Sequence, residues 1–261
     1  MQVKTLADFT KQFAFNRAKT GMVGVERECH LIRDKKIVPI AQEILNGLHG
    51  SNGQFTYELS ACQLEWRVGP CRIDSLEMTL KKVERQLRAA EKMMNFRRSF
   101  AEIAPEDMPL DVYPDPTGRY AEITANMSKE ILSAACRVVA THIHVGMPGP
   151  EMAILSYNRA IESFDLFCQL GDHSNGERQK VYRKMAPDYR SPRYDSWEHF
   201  YKVAVQKGFA NNPRDCWNMI RISRHGTIEF RMFGATNDCA EIVRWARLCK
   251  EACRDALTGE C

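Results

Sequence analysis

Three pairs of polar residues spaced two apart interrupt runs that otherwise look like apolar strands. They are Glu26 and Glu28 in Val-Gly-Val-Glu-Arg-Glu-Cys, His142 and His144 in Thr-His-Ile-His-Val-Gly, and Glu229 and Arg231 in Thr-Ile-Glu-Phe-Arg-Met-Phe. Residues i and i+2 of a strand point to one face, so each pair aims two polar groups the same way while the residues between them lean the other way. Three such strands set side by side would make a polar, metal-capable floor in an apolar sheet. That arrangement is unfavourable unless something fills it. Glu58 and Glu65 stand near the start and end of another strand-like run, and Arg221 lies inside Ile-Arg-Ile.

Clustered carboxylates repel one another unless cations neutralise them. Hard oxygen donors with an occasional imidazole suit magnesium or manganese better than zinc. Any one of these glutamates alone could sit on a solvated strand face, which antiparallel sheets permit. Five of them, with two histidines in the same setting, fit that explanation poorly. An arginine on a sheet interior needs an anionic partner. For Arg221 and Arg231 that partner is either a glutamate, in a structural ion pair, or a bound phosphate or carboxylate. Arg67, which follows Glu65 and Trp66, has the same two readings.

The elements that must position these residues follow from periodicity. A short helix is expected over Leu6–Ala18, a strand over Met22–Ile32, and a turn at 33–39 leading to a shorter strand. Tyr57–Val68 reads as one strand stopping at Gly69-Pro70. Asp74–Phe96 reads as a helix with Leu76, Leu80, Val83, Leu87, Ala90 and Met94 on one face and Asp74 as its N-cap. Residues 104–119 read as a loop, Arg137–Met147 as a buried strand and Glu151–Leu170 as a long helix. Residues 171–215 are polar and basic without a period. A hairpin is expected from Trp217–Ser223 and Gly226–Phe233 across Arg224-His225-Gly226, then a helix from Asp238 to Gly259. Strands separated by unequal helices, with hairpin pairings, indicate an α+β fold with a largely antiparallel sheet.

The 261 residues fit a single domain spanning 1–261. At 44% hydrophobic and 27% charged the composition is that of an ordinary soluble globular protein. A net charge of +4 is too mild to argue for nucleic-acid binding. No apolar run approaches the roughly 18–20 residues of a membrane span, and the N-terminus lacks a signal-peptide core. Ten cysteines without a Cys-x-x-Cys pattern then suit a reducing, cytoplasmic setting, most of them acting as small buried hydrophobes.

The order Gly-Val-Glu-x-Glu, Glu-x6-Glu, His-x-His-Val-Gly and Gly-Thr-Ile-Glu-Phe-Arg resembles the carboxylate–amine ligases of the glutamine synthetase and glutamate–cysteine ligase superfamily. The stretch Gly226–Asp238 with the Glu-Ile-Val-Arg-Trp that follows is most similar to the smaller amidoligase branch. The motifs span residues 24 to about 248, more loosely over 171–215. The resemblance implies a curved, mostly antiparallel, glutamine synthetase-like sheet forming a funnel flanked by helices, with ATP at one end and the acceptor amine at the other. It implies Glu26, His142 and Glu229 as ligands of the magnesium (or manganese) nearer the transferred phosphate, and Glu28, Glu58 and Glu65 as ligands of a second. His144 takes the place of a nucleotide contact. Arg231 matches an arginine that holds the carboxylate or the developing phosphate, and Arg221 matches a phosphate-binding arginine. A second arginine of glutamine synthetase corresponds to Cys216 here, with Arg214 two residues away as a substitute.

The activity so implied is ATP-dependent amide formation between a small-molecule or peptide carboxylate and an amine, through an acyl phosphate. Glutamate–cysteine ligase activity proper is an alternative. A metal-dependent hydrolase using the same Glu/His floor is a reading from another class, as is a binding protein without turnover. The segment Arg178–Arg193 reads either as a solvated loop or as a mobile flap over the phosphates.

Overall fold

Residues 3–48 and 53–254 are described by the structure, a computed structural model. The chain opens with α1 (Leu6–Thr10), β1 (Val23–Arg33), β2 (Lys36–Ile37) and α2 (Ala41–Gly47), then β3 (Phe55–Tyr57) and β4 (Gln63–Cys71). Next come α3 (Ile73–Met93), β5 (Arg97–Ser99), α4 (Arg119–Thr124), α5 (Lys129–Arg137) and β6 (Ala140–Gly146). The last part holds α6 (Pro150–Ala160), α7 (Phe164–Leu170), α8 (Glu177–Met185), α9 (Trp197–Gln206), β7 (Ile220–Ser223), β8 (Thr227–Gly234) and α10 (Cys239–Ala252). The strands pair antiparallel in the order β3-β4-β1-β6-β8-β7, with β2 and β5 completing the C-terminal half of β1. The α+β reading holds. Among the described residues no helix is long and apolar enough to cross a membrane.

The period-2 pattern decides which face is which. On β1, Val23, Val25, Cys29 and Leu31 are fully buried, and Arg27 on the same side reaches Glu84 of α3 at 2.6 Å. Gly24, Glu26 and Glu28 point the opposite way. Phe230 and Phe233 of β8 meet Phe167 of α7 with ring centroids 5.6 and 5.9 Å apart, and Phe233 stacks on Trp245 of α10 at 4.9 Å. Such side chains contribute about 1.5–3 kcal/mol each when fully buried. Phe230 and Phe233 are an odd number of residues apart, yet share a face. The reason is a bulge: Ile143 pairs with Phe230 and Thr141 with Phe233, which leaves one extra residue in β8. Glu229 and Arg231, two residues apart, share the other face by ordinary alternation.

Several elements differ from expectation. The stretch expected as one strand from Tyr57 to Val68 is the hairpin β3–β4, with Glu58 in the connection. β4 also runs past Gly69-Pro70 to Cys71, where a register shift against Val23 and Val25 absorbs the irregularity. The first helix ends at Thr10. The chain then straps across the β7–β8 turn, where Ala14 N–H donates to Arg224 O at 2.8 Å. That turn requires glycine: Gly226 has φ of 69°, and a Cβ there would lie 2.6 Å from Ala14 O. α3 starts one residue early, with Arg72 rather than Asp74 at the cap position. The long helix expected over 151–170 is broken by a 3-10 turn at Ile161–Ser163. Residues 171–215, read without a period, hold α8 and α9, and the stretch between the expected loop and strand holds α4 and α5; the faces of all four are set by tertiary packing. α10 is capped by Asp238 as expected; its expected end at Gly259 lies outside the described residues.

Candidate active site

Strand register assembles the polar face. Arg221 of β7 lies opposite Glu229 of β8, Glu229 opposite His144 of β6, and His144 opposite Gly24 of β1. Two residues along β1, Glu26 lies between His142 of β6 and Arg67 of β4. Two further, Glu28 opposes Glu65. The alternation read from sequence therefore places these residues on one continuous surface.

They separate into two groups of potential ligand atoms lying within 4.8 Å of one another: Glu26, His144 and Glu229, and Glu28, Glu58 and Glu65. The second group has the membership that the resemblance implied. In the first, His144 stands where His142 was expected. His144 Nε2 is 3.5 Å from Glu26, while His142 sits between the groups, with Nδ1 3.6 Å from Glu26 and Nε2 3.6 Å from Glu28. The geometric cause is the row Glu229–His144, which puts His144 directly beside the β8 carboxylate.

The groups differ in charge. Glu229 is 1% exposed and held by two guanidinium groups. Arg221 donates to both its oxygens, Nε at 2.8 Å and Nη2 at 3.0 Å, and Arg231 Nη1 donates at 3.0 Å. Burial alone would raise its pKa. The charges of Arg221, His144 and Arg231 overcome that and hold the carboxyl well below the usual carboxylate range. Glu26 is held low in the same manner by His144 and His142 against its own burial. His144 is raised: burial opposes its charge, but Glu26 and Glu229 outweigh burial. Its Nδ1 bonds Thr227 Oγ1 at 2.8 Å, which leaves Nε2 as a buried nitrogen without a hydrogen-bond partner.

In the second group the balance reverses. Burial and the neighbouring Glu58 charge push the Glu28 carboxyl up to about 8, and burial with Glu26 and Glu58 raises Glu65 well above its ordinary value. Glu28 accepts the Ala140 N–H at 2.8 Å. Among the described residues Arg67 is the one arginine or lysine that ion-pairs with this group, 2.9 Å from Glu65; it also lies 3.4 Å from Glu26 of the first group, with its side chain 50% exposed. An oxygen-rich set with too few positive charges is a fit donor set for a hard divalent cation.

A cleft of about 260 Å³ adjoins the first group, lined by Lys19, Gly24, Glu26, Arg67, His144 and His225 among others. Gly24 brings no side chain into it. At the other side, Trp217 is 38% exposed with its ring 5.8 Å from the Arg231 guanidinium carbon. Tyr120, raised by burial and by Glu58 and Glu65, adjoins the stacked pair Tyr57–Tyr113.

Arg214 enters the site by its carbonyl, which accepts from Arg221 Nη1 at 3.1 Å; its guanidinium is exposed. The Arg178–Arg193 stretch is a helix and a short connection. Arg183 and Arg190 stack on Tyr189 and Phe164, and Arg178 is buried beneath β6 and β8. Thr227, missed in the sequence, stands two residues before Glu229, so the same alternation could have found it. Arg178, Tyr120 and Trp217 carry no such signal.

A family profile described as "Putative amidoligase enzyme" matches residues 19–253. Two curated proteins of Rubrobacter xylanophilus are similar to this chain. One, described as "Putative glutamate–cysteine ligase 2-3", is 27% identical and the match covers 87% of this chain. The other, "Putative glutamate–cysteine ligase 2-1", is 26% identical over 91% of this chain. The match spans 68% of each relative. Among solved structures, a bifunctional glutathione synthetase from Pasteurella multocida has a like fold, with a TM-score of 0.57 at 12% identity. That likeness extends over 92% of this chain and 40% of that one.

Proposed function

The chain belongs to the amidoligase family, and from that premise we propose that it is an ATP- and magnesium-dependent carboxylate–amine ligase that forms an amide through an acyl phosphate. One observation carries the reading: two buried nitrogens beside Glu229 have no hydrogen-bond partner, Arg231 Nε and His144 Nε2. The first is a donor suited to an anion. The second lies 3.5 Å from Glu26 and, on giving up its proton, would offer a lone pair to a cation. A metal-bound phosphate offers both at once.

The chemistry follows. A carboxylate acylates poorly because its leaving group would be oxide; after accepting the γ-phosphoryl of ATP its leaving group is phosphate, and an amine can displace it. Phosphoryl transfer calls for positioning and charge neutralisation. Arg221 and Arg231, locked on Glu229, supply fixed positive charge to the transferring group without reorganising. Bound magnesium would neutralise the phosphates and template nucleotide against carboxylate; Glu26, the two histidines and Glu229 would hold one ion, and Glu28, Glu58 and Glu65 the other. The cleft over Gly24 suits the nucleotide, with His144 at its edge. The carboxylate and amine would enter from the side of Trp217 and Tyr120. We read the curved antiparallel sheet as a glutamine synthetase-like funnel and residues 1–261 as one such domain. The substrates are a small-molecule or peptide carboxylate and an amine, with glutamate and cysteine as the alternative pair.

The test is to incubate purified protein with ATP, magnesium and pooled amino acids and peptides while following ADP. ADP release that requires both a carboxylate and an amine, and is lost in Glu26→Ala, supports the ligase. Amide cleavage without ATP consumption would assign the Glu/His floor to a hydrolase.

A further inference from the structure

Arg178 is 3% exposed and makes no ion pair among the described residues; its guanidinium is spent on backbone carbonyls. Nη2 donates to Arg231 O at 3.0 Å, Nη1 to Met232 O at 2.9 Å and Nε to Val139 O at 3.2 Å. Arg231 and Met232 lie in the β8 bulge, where carbonyls are left without a ladder partner. The third carbonyl belongs to the peptide whose N–H, that of Ala140, donates to Glu28 Oε2 at 2.8 Å. One side chain therefore grips the backbone of the arginine beside Glu229 and polarises the peptide that holds Glu28.

Its setting argues against a default structural role. Arg178 occupies the first turn of α8, where a positive charge opposes the helix dipole. Burial pushes it below its ordinary value, with the charges of Glu102 and Glu28 and the Tyr182 phenol acting the other way. The turn before it is built for the purpose: Asp172 accepts N–H bonds from Ser174 and Gly176, and Ser174 Oγ accepts the Arg178 N–H at 2.9 Å.

We propose that Arg178 is a positioning residue that joins the two halves of the site, fixing the direction of Arg231 through the β8 bulge and the donor to Glu28 through the Val139–Ala140 peptide. The inference rests on the ligase reading for its consequence in turnover, but not for its consequence in the metal-free protein. A lysine keeps the charge and cannot span three carbonyls.

The experiment compares wild type, Arg178→Lys and, as a control on the same helix, Arg183→Lys, whose side chain stacks on Tyr189 away from the site. Three quantities are read: amide hydrogen exchange without metal, Mn2+ affinity without nucleotide, and ATP turnover where turnover is found. In Arg178→Lys the Ala140 and Arg231 amides should exchange at least ~10-fold faster than in wild type while amides of β1 and β4 stay within ~2-fold. Mn2+ affinity should fall about 10–100-fold, the range for losing a group that orients a metal ligand. ATP turnover should fall with the KM for ATP held within ~2-fold. Arg183→Lys should match wild type throughout. Uniform acceleration of exchange over all strands, or unchanged exchange at Ala140 and Arg231, overturns the proposal. So does Mn2+ affinity equal to wild type. If wild type itself binds no Mn2+, the metal reading of the site fails separately, and the exchange pattern alone decides on Arg178.

Discussion

Glu229 and Glu28 are sheet carboxylates on one surface, the first buried and the second largely so, and the protein treats them oppositely. Glu229 is gripped by two arginines and held ionised. Glu28 shares its corner with Glu58 and Glu65, receives one backbone N–H, and is pushed up to about 8. The first group carries its own counter-charge and is a permanent part of the fold. The second lacks it, burial and mutual repulsion favour its protonated form, and a bound cation would supply the missing charge. An enzyme that binds a nucleotide's phosphates at one end and draws an ammonium group to the other would need this asymmetry.

The largest expected effect comes from removing the compensated carboxylate. Glu229→Ala leaves two guanidinium groups buried without their partner and should destabilise the protein by about 3–5 kcal/mol, a Tm fall on the order of 10 °C. The uncompensated group should behave in the opposite sense. Glu28→Gln and Glu65→Gln remove a buried like charge, so at pH 8 without metal Tm should hold or rise, while the rise produced by Mn2+ in wild type shrinks. A fall in Tm matching that of Glu229→Ala would erase the contrast between the groups.

Acidity sharpens it further. Glu28 has its folded pKa raised to about 8 from an ordinary 4.5, so the folded state holds more protons than the unfolded one between those values, and stability falls as pH rises. His142, His30 and His225 are lowered, so the unfolded chain holds more of their protons near pH 6.5 and they oppose the fall until about pH 7.5. From pH 6.5 to 8 the raised groups Glu28, Glu65 and His144 pull together against them and outweigh them by pH 8. Metal-free wild type should lose Tm over this range, Glu28→Gln should lose less, and saturating Mg2+ should flatten the slope. A Tm that rises from 6.5 to 8 would contradict the raised carboxylates. The smallest effect is reserved for Arg67→Gln. Its half-exposed ion pairs should alter stability by less than about 1 kcal/mol, while Mn2+ binding tightens a few-fold because a competing cation has gone.

How much of this could be read from the residues depends on the kind of order involved. Period 2 put the two members of each pair, Glu26 and Glu28, His142 and His144, Glu229 and Arg231, on one face of their strand, because side chains two apart on a strand share a face. It could not reveal that Glu58 sits in a hairpin connection, since Tyr57–Val68 alternates well enough to pass for one strand. Nor could it reveal the β8 bulge, which depends on what β6 offers opposite. The exchange of His142 for His144 beside Glu229 is a matter of register between strands far apart in sequence. Arg178 is the extreme case: it lies in an aperiodic, basic stretch, and its partners are carbonyls, which every residue has.

The central claim is that this surface activates a carboxylate by phosphorylating it. Oxygen-18 follows that step directly: amino acids and peptides labelled in their carboxylates are supplied with ATP, Mg2+ and an amine pool, and the released phosphate is examined by mass. An acyl phosphate predicts one 18O per phosphate for each amide formed, with no labelled phosphate when the amine is withheld from turnover or when Glu26→Ala replaces wild type. Amide formed with unlabelled phosphate, or without ATP consumption, would contradict it.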